Sequence, residues 1–163
     1  MRLKRREKKP FRSQAEEFIK QTNPRMVFAH KPGFDFMVAR RHAPGYIKFE
    51  LTKTRKYRGG EVIYFVITYG QWQKMIAKRG FAPDFFVVVG ENKIYYGFAR
   101  KVSDYLQETM REHTRQKSFR KTIEIRIGPK HLVRLGIMKA ISRSEAHRLE
   151  EELIKSEKEG QKK

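Results

Sequence analysis

The sequence predicts a single domain of mixed α/β class, a central sheet flanked by helices, and three observations carry that expectation. Its 163 residues are enough for one domain with a real core and too few for two large ones. Hydrophobic residues make up 39% of the chain and include 12 phenylalanines, which predicts a packed interior rather than disorder. Segments of helical and strand periodicity follow one another as helix, three strands, strand, helix, strand and hairpin, an order that suits layered packing. No repeat of solenoid length interrupts it.

Taken in order, the first ten residues, MRLKRREKKP, hold six Lys or Arg and end in proline, which predicts a mobile basic arm over residues 1–12. A core is expected over 13–118 and a carboxy-terminal extension over 119–163, available for dimerisation or nucleic-acid binding. Ser13-Gln14-Ala15-Glu16 fits a capping box opening a helix whose face carries Ala15, Phe18, Ile19 and Thr22, and Asn23-Pro24 ends it. Met26–His30, Phe34–Ala39 and Tyr46–Thr52 read as consecutive antiparallel strands separated by Pro-Gly turns.

The basic stretch KTRKYRGG reads as a loop, and VIYFVIT (Val62–Thr68) is apolar on both faces, as a buried central strand would be. A helix with Trp72, Met75 and Ile76 on one stripe should follow and close at Gly80. DFFVVV (Asp84–Val89) is a second buried strand that turns at Glu91-Asn92-Lys93 into Ile94–Ala99. A helix from Ser103 to about Lys117 places Val102, Leu106 and Met110 on one side. Ile123, Ile125 and Ile127 alternate as a strand that Gly128-Pro129 breaks. A helix from Ser142 then shows a narrow stripe of Ala146, Leu149 and Leu153, with Glu157–Lys163 expected to fray.

Charge bounds the partner. Against 18 Asp and Glu stand 38 Lys and Arg, a formal net charge of +20 that repels itself unless a polyanion is near, so nucleic acid is the expected partner, DNA ahead of RNA. No run approaches the roughly 18 apolar residues of a membrane-spanning helix, and Met1–Pro10 lacks the apolar core of a signal peptide. A cytoplasmic protein without membrane contact is therefore expected. The absence of cysteine removes thiolate metal sites, so a bound metal would need oxygen or imidazole ligands. With 34% charged residues and no cysteine, the composition points towards a hot-living source.

The chemistry concentrates in YIKFELTKTRK (Tyr46–Lys56). Strand alternation points Tyr46, Lys48, Glu50 and Thr52 one way and Ile47, Phe49 and Leu51 the other. Asp35, in GFDFMV on the preceding strand, points towards the face that Glu50 uses, and neighbouring antiparallel strands can bring two such carboxylates to one cation. Hard ions such as Mg²⁺ are held by one or two carboxylates together with water and phosphate oxygens. Arg40, Arg41, Lys53, Arg55, Lys56 and Arg58 lie in flanking basic segments suited to gripping phosphates. His30, His42, His113, His131 and His147 are scattered without zinc-ligand spacing.

An acid after Ala in the first helix, Asp in a short hydrophobic strand, Glu in the next strand and then basic residues together resemble the PD-(D/E)XK nuclease superfamily. SQAEEFIK, GFDFMVA and KFELTKTRK look most like its archaeal Holliday-junction-resolvase-type and restriction-endonuclease-like members. The resemblance spans roughly Ser13–Val89. It implies a restriction-endonuclease-like mixed central sheet flanked by helices, here with a small carboxy-terminal strand-helix extension, and a nuclease dependent on Mg²⁺ or Mn²⁺.

Carried over by position, Asp35 and Glu50 match the two metal-binding acids and Glu16 the helix acid, with Glu17 its substitute. The superfamily pattern places a lysine two residues after the glutamate, where this chain has Thr52. Lys48 shares the face of Glu50; Lys53 is one residue late and reaches that face only through a bulge near Thr52. Nucleases of this kind often form homodimers, for which the final helix offers its apolar stripe. The alternative is a nucleic-acid-binding protein that keeps the fold and has lost catalysis.

Overall fold

The computed structural model describes residues 11–22, 27–28, 36–39, 46–68, 70, 84–116 and 122–161. Its elements are α1 (Phe11–Thr22), β1 (Val27–Phe28), β2 (Phe36–Ala39), β3 (Tyr46–Lys53), β4 (Arg55–Tyr57), β5 (Gly60–Thr68), β6 (Phe85–Val89) and β7 (Lys93–Phe98). Then follow α2 (Ala99–Gln116), β8 (Thr122–Ile127), α3 (Pro129–Arg134), β9 (Lys139–Ser142), a 3₁₀ segment (Arg143–Arg148) and α4 (Leu149–Gln161). The class is mixed α/β with helices flanking sheets, as the element order predicts.

The strands form two sheets. A six-stranded mixed sheet runs β1-β2-β3-β6-β7-β9, antiparallel throughout except where β3 and β6 run parallel, and a three-stranded antiparallel sheet runs β4-β5-β8. Central β6 is buried at all five positions, consistent with its unbroken apolar run. Its odd residues join Ile47, Phe49 and Leu51 of β3 in a core covered by Ala15 and Ile19 of α1 and by Ala146, Leu149 and Leu153. On the opposite face Phe86, Val88 and Tyr95 meet Val102, Leu106 and Met110 of α2, Leu132 of α3 and the isoleucines of the smaller sheet.

Several expectations change. The helix begins at Phe11, so Ser13 lies inside its first turn and is no cap. VIYFVIT is central, but in the smaller sheet: Ile63, Phe65 and Ile67 face inward opposite Ile127, Ile125 and Ile123 of β8, while Val66 stays exposed. The stretch KTRKYRGG is not a loop but an edge strand and hairpin, in which Arg58 (φ 49°) and Gly59 (φ 78°) make the tight reversal between the paired Tyr57 and Gly60.

Helix α2 starts at Ala99, directly off β7, where the Ala99 N–H donates to the Asp84 carbonyl at 3.0 Å. Proline at the first helical position opens α3 after Gly128, so Gly128-Pro129 starts a helix as well as ending a strand. The short strand β9 was not foreseen; it adds the last edge of the large sheet by pairing with β7. The apolar stripe of the final helix, offered for a homodimer, is buried in this chain's own core, and α4 runs to Gln161. No helix among the described residues is long and apolar enough to cross a membrane.

Candidate functional site

Glu50 lies in the middle of β3, whose exposure alternates as predicted: Tyr46, Lys48 and Glu50 are exposed while Ile47, Phe49 and Leu51 are buried. Parallel pairing sets Glu50 beside Phe86, which stacks on Phe65 with ring centroids 5.7 Å apart. Glu50 thus stands on the face where the smaller sheet packs, beside the rim of that apolar layer. Lys48, two residues away on the same strand face, is roughly 7 Å along the strand at ordinary strand rise.

The ladder between β3 and β6 continues without a bulge from Phe49–Phe85 to Lys53–Val89. Alternation therefore places half-buried Lys53 with Phe49 and Leu51, on the face opposite Glu50, so Lys48 is the lysine that shares the carboxylate's face. Thr52 occupies the lysine position of the resemblance and is half-buried. Glu16 is half-buried on α1, whose Ala15 and Ile19 cover the Phe49 face, so its helix belongs to the other layer. Asp35, Arg40 and Arg41 lie outside the described residues, as does Trp72. Among the described residues no group of three or more His, Cys, Asp or Glu converges to hold a metal ion.

Two other carboxylates organise this part of the sheet. Asp84, at the head of β6, accepts the Lys48 backbone N–H on Oδ2 at 3.0 Å and donates its own N–H to the Lys48 carbonyl at 2.7 Å. This double clamp fixes the backbone of the lysine on Glu50's face. Glu61 Oε1 accepts both the hydroxyl of buried Thr54 and the Glu91 N–H, each at 2.6 Å, tying the β4–β5 hairpin to the β6–β7 turn. On the outer side of that turn Lys56 pairs with Glu91 at 3.4 Å.

The basic residues Arg55, Lys56 and Arg58 are exposed on the β4–β5 hairpin, away from the large sheet's core. Arg55 lies over the Tyr64 ring at 4.7 Å, Arg58 over Tyr57 at 5.2 Å, and Arg126 over both rings, at 4.7 Å from Tyr57 and 5.1 Å from Tyr64. Hydrogen bonding towards Glu124, with desolvation and the Glu124 charge, raises the Tyr64 phenol above its ordinary range against the opposing charges of Arg126 and Arg55.

Sequence reasoning missed Tyr64 and Arg126. Alternation in TIEIRI, with isoleucines on one face and Glu124 and Arg126 on the other, was the available signal. Tyr95 and Tyr96 are core residues, each 2% exposed. Neither the family models nor the curated proteins nor the solved structures yield a match to this chain.

Proposed function

We propose that this chain binds nucleic acid and hydrolyses phosphodiester bonds in DNA with Mg²⁺ or Mn²⁺, at a site centred on Glu50. The observation that carries the reading is Glu50 and Lys48 together on one exposed strand face, in a chain of net charge +20. Asp35, the residue before Phe36 in sequence, is the second acid that the resemblance implies. Glu50 and Asp35 would supply hard oxygen ligands, few enough to leave room for water and phosphate.

The metal, when bound, neutralises phosphate charge and lowers the pKa of a coordinated water. Lys48 adds a positive charge on the same face and orients the attacking water. Arg55, Lys56 and Arg58, with Arg40 and Arg41, hold the phosphate backbone without reading bases. Glu16 receives no direct role, and a cytoplasmic setting accords with the lack of cysteine.

The test is cleavage of labelled branched, duplex and single-stranded DNA with Mg²⁺ or Mn²⁺ and with chelator. Glu50→Gln and Asp35→Asn should each lower the rate at least about a hundredfold, the scale of losing a preorganised electrostatic group, and Lys48→Ala should cost more than Lys53→Ala. Metal-dependent cleavage indifferent to Glu50→Gln refutes the site. Thr52, in the place of the resemblance's lysine, favours a second reading, a nucleic-acid-binding protein without catalysis, and binding without cleavage under every metal condition selects it.

A further inference from the structure

We infer that the outer face of the three-stranded sheet β4-β5-β8 is a base-stacking platform for single-stranded nucleic acid. This inference rests on nucleic acid being the partner, as proposed above, and not on cleavage. The face is defined by register: Tyr64 pairs with Arg126, Arg55 with Val62 and Tyr57 with Gly60, so these side chains stand opposite the inward Ile63, Phe65 and Ile67. On this face Tyr57 is 40% and Val66 45% exposed, while Val62 and Tyr64 are half-buried.

Tyr64 is half-buried beside exposed Tyr57 on this face, and the arginines around the two rings select the occupant. Arg126 lies within about 5 Å of both rings, which therefore sit within about 10 Å of each other, close enough for nearby bases of one strand. Arg55 and Arg58 hold cations against the same two rings. These guanidinium groups lie over the rings, so a base stacks on the guanidinium plane or takes its place on the ring, and the displaced cation contacts phosphate.

A duplex keeps its bases stacked on one another and offers the rings no base face, whereas an unpaired strand offers one at every nucleotide. The opposing charge, Glu124, is engaged by Arg126 at 3.8 Å. On this face Arg55, Arg58 and Arg126 outnumber it. An acidic protein surface would pair with the arginines but would leave two tyrosine rings and Val66 without matching contacts.

The experiment measures binding of the full chain, in chelator so that cleavage cannot intervene, to single-stranded oligonucleotides of about 15 nucleotides and to duplexes of equal length, within the roughly 4–16 nucleotide range of sheet-based single-strand sites. Losing one stacked base costs roughly 5- to 150-fold in affinity. The double variant Tyr57→Ala/Tyr64→Ala should therefore lose single-strand affinity at least about tenfold, with duplex affinity changed less than about threefold.

The pair Tyr57→Phe/Tyr64→Phe, which keeps the rings and removes the hydroxyls, should stay within about threefold of the parent. Unchanged single-strand binding in the alanine pair overturns the inference, and so does an equal loss on duplex and single strand. If the alanine pair does not fold, ultraviolet cross-linking of the parent chain decides: adducts within residues 55–68 or 122–127 support the platform, and adducts confined elsewhere overturn it.

Discussion

Leu153→Ala tests whether the final helix belongs to the fold or hangs from it. Leu153 is fully buried in the cluster that also contains Ala15, Ile19, Phe49 and Phe85, so α1, the large sheet and α4 share one interior. The substitution removes roughly three carbons, worth about 2.4 kcal/mol at about 0.8 kcal/mol each. The space left behind adds up to about 2 kcal/mol if the walls do not collapse, at about 24 cal/mol per Å³.

A loss of about 2–4 kcal/mol is therefore expected, or about 5–15 °C in Tm for a domain of this size. Leu135→Ala is the internal control, since Leu135 is 51% exposed, and it should cost less than about 0.5 kcal/mol. Urea and thermal melts followed by circular dichroism read both. A shift below about 2 °C for Leu153→Ala would refute the placement of α4 in the core.

Other outcomes follow from specific contacts. A Cβ on Gly97 would run into the backbone carbonyl of Ile137 and into Met138, so Gly97→Ala should destabilise by about 1–3 kcal/mol in the same melts, although alanine suits strands at least as well as glycine. The buried Tyr96 phenol is pushed well above its ordinary range, first by desolvation and then by its 2.9 Å hydrogen bond to Glu152. The neutral phenol's contribution is thus fully present below the unfolded value of about 10 and is lost as pH rises through the folded one. Urea midpoints should fall between about pH 9 and about pH 11, and Tyr96→Phe should flatten that fall.

Thr54→Val keeps the shape but removes the hydroxyl from Glu61, and a cost of about 1.5–2 kcal/mol is expected, the lower part of the charged-acceptor range because Glu61 is half-exposed. Binding to any nucleic acid should weaken steeply with salt, and a flat log–log plot of affinity against salt concentration contradicts the polyanion reading.

What was legible in the sequence was mostly local. Alternation in YIKFELTK gave the two faces of β3 and put Lys48 and Glu50 together, because side-chain direction in a strand depends only on parity. The apolar run of β6 and the Val102, Leu106 and Met110 spacing of α2 were equally readable, since each segment carries its own burial pattern. The net charge also belongs to sequence alone, and with it the expectation of a polyanionic partner.

Tertiary structure decided which strands meet. Nothing in VIYFVIT distinguishes the centre of a large sheet from the centre of a small one; its pairing with TIEIRI, more than fifty residues away, settles that and turns one apolar face outward. Whether Lys53 could reach Glu50 turned on a bulge, and a bulge is set by the partner strand, here the unbroken ladder to β6. The stripe on the final helix looked the same from sequence whether it met a second chain or its own core, because periodicity reports that a face is buried and never against what. Only the packing of Leu149 and Leu153 with α1 and β3 answers that.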